Sequence, residues 1–126
     1  MTDKRVVLVT CSSEEEASRI ARALVTERLA ACGNILDSPV RSIYRWKGSI
    51  ETAMEHLLVI KTRRARVRAL EAAVKRLHSY QIPEIITLPI AEGSRRYLAW
   101  VDECVRPAPK AARRPRQRRS LSSRTK

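Results

Sequence analysis

The chain has 126 residues, 44% of them hydrophobic, and a formal net charge of +13. That length fits one domain with a real core and no need of disulfide staples. Eight of the Lys and Arg, and no acid, fall in residues 107–126, which leaves +5 for residues 1–106; the basicity is concentrated in a tail, and the pI is no signature of a nucleic-acid fold.

Three cysteines at wide spacing, Cys11, Cys32 and Cys104, without a C-x-x-C, exclude a disulfide framework and predict reduced thiols in the cytoplasm. No stretch approaches the length of a membrane span, and the run after Met1-Thr2-Asp3-Lys4-Arg5 is too short for a signal peptide.

Val6 to Thr10 reads as a buried strand. Ser13 followed by Glu16 fits a capping box. Ala17, Ile20, Ala21, Leu24 and Ala31 then fit one helical face, predicted to end near Gly33 or Asn34. Val40 to Lys47 is a strand that places Ser42, Tyr44 and Trp46 on one side. Lys47-Gly48-Ser49 is a hairpin turn, and Glu55 to Thr62 is the returning strand. Val67, Leu70, Val74 and Leu77 define a second amphipathic helix, with Arg64, Arg66, Arg68, Lys75 and Arg76 on its other faces. Pro83 requires that helix to have ended. Ile85 to Ile90 is a fourth strand, which Pro89 places at an edge or bulge. Ser94 to Val105 is a final helix bearing Tyr97 and Trp100.

The order βαββαβ plus a terminal helix is the α+β, ferredoxin-like sandwich. The strands His56–Ile60 and Val6–Val9 are apolar on both faces, whereas two helices cover only one. A second apolar face needs cover, so the sequence predicts association with further copies. The alternative is that the terminal helix folds back over it. Residues 1–106 are thus one domain. Residues 107–126, rich in Arg and Pro with terminal Ser, are expected to be a disordered basic tail, with weak contact to nucleic acid or an anionic surface as its expected partner chemistry.

Several segments together resemble the CutA family of divalent-cation tolerance proteins. They are Arg28-Leu29-Ala30-Ala31-Cys32 with Asn34-Ile35, Ser42-Ile43-Tyr44-Arg45-Trp46-Lys47-Gly48, Glu55, Leu57, Ile60-Lys61-Thr62, His78, Tyr80, Pro83-Glu84-Ile85 and Tyr97-Leu98-Ala99-Trp100. The resemblance covers Arg5 to Val105. It implies a homotrimer of ferredoxin-like subunits, similar in architecture to PII signalling proteins, that binds copper or other divalent cations and serves metal tolerance. The chain departs from the family at Ser79, usually Pro, and at Val9, where some members carry Cys; a single His precedes Tyr80 where some have two.

His78 and Cys11 are the candidate metal ligands, since imidazole with thiolate suits Cu(II) or zinc. Against this, His78 sits where a ring would bond local carbonyls at a helix end. The helix start beside Cys11 is expected to lower its pKa, whereas Cys32 and Cys104 read as packing residues. Glu55 and Lys61 share a strand face and read as an ion pair at an interface, or, with Glu84, as the charges of a cleft between subunits. Tyr44, Trp46, Tyr80, Tyr97 and Trp100 are its candidate aromatic walls. No nucleophile elbow, phosphate-type Gly loop or metalloprotease motif occurs; the expected role is binding, not catalysis. The alternative to metal handling is a PII-like signalling or scaffold trimer that takes a small molecule at the clefts.

Overall fold

The computed structural model describes residues 2–107; the predicted tail beyond Pro107 lies outside the described residues. The elements are β1 (Lys4–Cys11), α1 (Glu14–Thr26), β2 (Cys32–Ile35), β3 (Val40–Trp46), β4 (Ser49–Arg63), α2 (Arg64–Leu77), β5 (Ile85–Pro89) and α3 (Arg95–Cys104). All strand pairs are antiparallel, in the order β2-β4-β1-β5, and β3 pairs separately with β4. The α+β class and the ferredoxin-like arrangement hold.

β4 joins the whole sheet. Its first half, Ser49–Glu55, pairs with β3, and His56–Arg63 pairs with β1. Leu58–Lys61 pairs with β2 on the other side. The returning strand therefore starts six residues before the predicted Glu55. Lys47 (φ 51°) and Gly48 (φ 83°) both take positive φ, the requirement of a two-residue hairpin turn whose twist matches the strands.

Strand alternation gives the sheet two unlike faces. Val7, Val9, Leu58 and Ile60 are fully buried against Ile20 and Leu24 of α1 and Leu70 and Val74 of α2. The opposite face carries Val6, Leu8, Leu57 and Val59, all half-buried, together with Ile86 (44% exposed) and Leu88 (45%). α3 folds over one end of this face only. Val101 and Val105 pack there with Ala31, and Asp102 bonds Arg63 Nη1 at 2.7 Å. The remainder stays open.

The end of the first helix is corrected. α1 ends at Thr26, not near Gly33, and Cys32 lies in β2. Arg28 stops the helix by adopting the left-handed conformation (φ 60°), with Arg28 N–H donating to Val25 O and Leu29 N–H to Leu24 O. Glycine usually fills that place. Gly33 serves another purpose: a Cβ there would lie 3.1 Å from Ala21 Cβ and 3.3 Å from Leu58 Cδ1, so β2 runs close beneath α1.

Candidate functional site: a buried polar node and an aromatic cleft

β1 and α2 end at the same edge of the molecule, and the segment from His78 to Glu84 crosses between them. Two features meet there.

The first is a buried node. One ligand-type atom each from Cys11, Glu16 and His78 lies within 4.8 Å of the others. His78 is the C-cap of α2, where its N–H donates to Val74 O. Its Nδ1 accepts from Tyr80 N–H at 3.1 Å. That leaves the proton on Nε2, which donates to Thr10 O at 2.8 Å. Glu16 Oε1 accepts from Ser12 N–H (2.8 Å) and Ser12 Oγ–H (2.9 Å), and Oε2 accepts from Ser79 N–H (2.6 Å). Burial pushes the Glu16 pKa up, but the Ser12 and Ser79 donors outweigh it and hold the carboxyl at about 2. The predicted capping box is present in altered form. Ser13 Oγ accepts from Glu16 N–H, whereas the carboxylate bonds Ser12 and then spans 63 residues to Ser79.

Cys11 is fully buried, and burial, reinforced by Glu16 and Glu55, pushes its thiol up to about 12. This corrects the expected lowering: a dehydrated thiol beside carboxylates stays protonated. The predicted pair Cys11 and His78 is thus brought together, with Glu16 as a third member. A divalent cation would have to compete with bonds already made: both imidazole nitrogens are committed, and the carboxylate oxygens already accept three donors.

The second feature is an open cleft of about 700 Å³. β3 supplies Ser42, Ile43, Tyr44 and Trp46, β4 supplies Glu55, β1 supplies Thr10, and the loop supplies Ser79 to Ile82 with Glu84. Tyr80 donates its hydroxyl proton to Glu55 Oε2 at 2.7 Å. Burial and then the Glu55 carboxylate raise the Tyr80 pKa above the ordinary phenol value. Thr10 Oγ1 lies 3.5 Å from Glu84 Oε1. Tyr80 also stacks at a tilt on His78, with ring centroids 4.6 Å apart, so the node fixes the cleft wall from behind.

Of the predicted cleft residues, Tyr44, Trp46, Glu55, Tyr80 and Glu84 line this cleft. Lys61, Tyr97 and Trp100 do not. Lys61 bonds Asn34 Oδ1 of β2, and Tyr97 stacks on Trp100 with centroids 5.5 Å apart. Burial and the neighbouring Cys32 thiol raise the Tyr97 pKa. A Glu55–Lys61 ion pair within one chain is excluded by strand geometry, since six residues of β4 span about 20 Å. The sequence reading missed Glu16, Ser79 and Thr10. For Glu16 a signal existed: a carboxylate at the third position of a helix whose N-cap follows a second serine.

No helix among the described residues is long and apolar enough to cross a membrane. Residues 5–104 match the family described as CutA1 divalent ion tolerance protein. The chain is 52% identical over 100 residues to the divalent-cation tolerance protein CutA of Thermus thermophilus, covering 79% of this chain and 96% of that protein. It is 46% identical over 97 residues to a CutA homolog of Xenopus laevis, where the match covers 77% of this chain but 64% of the longer relative. The crystal structure of CutA from Xylella fastidiosa superposes with a TM-score of 0.80 at 38% identity, covering 83% of this chain and all of the other. The helices, the segments that build the cleft and all of the sheet but Lys4 lie inside the matched region, and this chain is a member of the CutA1 divalent ion tolerance protein family.

Proposed function

We propose that the chain serves divalent-cation tolerance as a non-catalytic, three-copy binding protein, and that its ligand enters the aromatic cleft, not the Cys11–Glu16–His78 node. The observation that carries this is the contrast between the two features. In the node both His78 nitrogens and both Glu16 carboxylate oxygens are engaged internally, whereas the cleft is open and presents the carboxylates of Glu55 and Glu84 beside Thr10 and Tyr80. Carboxylate and hydroxyl oxygens suit divalent cations generally, and Cu(II) or another divalent ion would be held there by Glu55 and Glu84. Assembly is supported by the open apolar face around Leu8, Val59 and Ile86. In the trimer we place Tyr97 and Trp100, 40% and 42% exposed in the single chain, at the contact between copies, with Lys61 nearby. The three free thiols support a reducing, cytoplasmic setting. The non-catalytic reading is supported by the protonated state of Cys11 and the raised pKa of Tyr80.

Titration calorimetry with Cu(II) and Zn(II) tests this. Glu55→Gln with Glu84→Gln is expected to weaken binding at least about tenfold, as loss of two anionic ligands should, and His78→Gln to leave it within about twofold if the node is not a site. The reverse pattern would return the cation to the node.

A second reading is favoured by the cleft's Tyr44 and Trp46 walls, which suit a small organic ligand as in a PII-like signalling protein. Thermal shifts with candidate metabolites in the presence of a chelator support it if they vanish on Trp46→Ala.

A further inference from the structure

The lining of the cleft is chemically one-sided. Residues 1–106 carry a net charge of +5, yet the lining includes Glu55 and Glu84 and no Lys, Arg or His. Strand alternation puts Glu55 and Thr10 at one end of the sheet face that α1 and α2 leave open, and Glu84 reaches Thr10 there. Glu55 is 7% exposed. Among the described residues the Tyr80 hydroxyl, on Oε2, is the one donor to its carboxylate. No Lys or Arg nitrogen of those residues lies within ion-pairing distance of Glu55 or Glu84. A carboxylate buried without a counter-charge is costly, and here its free oxygen, Oε1, belongs to a group that lines an open cavity.

The walls of the cleft ask for something other than a bare ion. Tyr44, Trp46 and Ile82 stay 43%, 38% and 70% exposed, so the fold leaves their apolar surface without cover. Lys47 Nζ lies 5.8 Å from the centroid of the Trp46 ring, within the range at which a ring face attracts an ammonium group. The volume of about 700 Å³ is that of a small-molecule site and far exceeds the space one ion fills.

We propose that the cleft takes a protonated organic amine, with its ammonium group against Glu55 and Glu84 and its apolar body against Tyr44, Trp46 and Ile82. This assignment rests on the cleft, not the node, being the binding site, and it names the ligand class. A divalent ion satisfies the carboxylates but leaves the walls bare. A neutral ligand covers the walls but leaves Glu55 without a counter-charge, and an anion is repelled by both acids. An ammonium group meets both demands. Its N–H groups donate to Glu55 Oε1 and to the Glu84 carboxylate as charge-assisted bonds, while the organic body covers the aromatic rings. Tyr80, whose proton is committed to Glu55 Oε2, holds the buried acid in position.

Calorimetry of the full chain with phenethylamine, at neutral pH and in the presence of a chelator, tests this, with phenethyl alcohol and hydrocinnamate as the neutral and anionic analogues. The amine is expected to bind at least about tenfold more tightly than the alcohol, as charge-assisted bonds to carboxylates should give, and hydrocinnamate not to bind. This comparison uses the parent chain, so it does not depend on any variant folding. Glu55→Gln with Glu84→Gln keeps the side-chain shapes and is expected to bring the amine down to the affinity of the alcohol. Trp46→Ala is expected to weaken both about threefold or more. Glu71→Gln, an exposed acid on α2 paired with Lys75, leaves the amine affinity unchanged. Thermal melting of each variant separates loss of binding from loss of fold. Equal binding of amine and alcohol overturns the amine, as does a loss in Glu71→Gln as large as in the cleft variant. Zn(II) titrated without chelator separates the two levels of failure. If Zn(II) binding depends on Glu55 and Glu84 while the amine does not bind, the amine falls alone. If neither responds to the paired Gln variant, the cleft falls as the binding site and the amine with it.

Discussion

Glu16 shows how one side chain can set the shape of a loop it does not belong to. Its carboxylate accepts from Ser12 and from Ser79 N–H, so it fixes the first residue after His78 and, through it, the path to Tyr80. Its folded pKa of about 2 lies below the ordinary 4.5, and a depressed carboxyl contributes stability in full above its unfolded pKa. That contribution fades as pH falls from about 4.5 towards 2. Glu16→Gln is expected to lose about 2 kcal/mol at neutral pH. It is also expected to flatten the acid limb of the stability curve across that window, as urea titrations at a series of pH values would measure. An unchanged acid limb would assign the acid sensitivity to other carboxyls. The serine at position 79 is what makes the bond available, since a proline there would offer no N–H.

At the scale of elements, the informative strand is the short one. β2 is four residues, Cys-Gly-Asn-Ile, and carries neither alternation nor β-branched enrichment strong enough to mark it. Gly33 was legible as a helix stop, because glycine commonly serves that end. Its actual reason is steric, the 3.1 Å approach of Ala21, and a contact between distant elements leaves no trace in local sequence. The true stop, Arg28 in the left-handed region, was equally invisible, since arginine has no preference for it. By contrast, α2, β1 and the Lys47–Gly48 turn were read correctly because periodicity and turn chemistry are local. For the site, the aromatic and acidic members on β3, β4 and the loop were visible by type, but the register of β4 was needed to separate Glu55 from Lys61. Gly33→Ala tests the steric account. The added methyl forces β2 from α1 and is expected to cost about 1–3 kcal/mol in chemical denaturation. Gly33→Ala at no cost would mean that α1 shifts freely.

For the whole molecule, the unequal treatment of the two sheet faces decides the matter. The helix-covered face closes a core from Val7 to Val74 without a partner, so each copy has the means to fold alone. The other face is closed by α3 only near Asp102 and Val101. Ile86 and Leu88 on the edge strand β5, next to half-buried Leu8 and Val6 on β1, form a continuous apolar strip. An edge strand with such a strip is a pairing surface. A charge placed in it therefore acts on association before it acts on folding. Ile86→Glu is expected to leave the far-ultraviolet circular dichroism intact at low temperature, while sedimentation equilibrium moves from a three-copy mass towards that of one chain. The separated copies are then expected to melt at a lower temperature, because association stabilises only the folded form, and that difference should grow with protein concentration in the parent chain alone. A parent chain that sediments as one copy at micromolar concentration would leave the strip without a partner of its own kind, and the cleft would have to work within a single subunit.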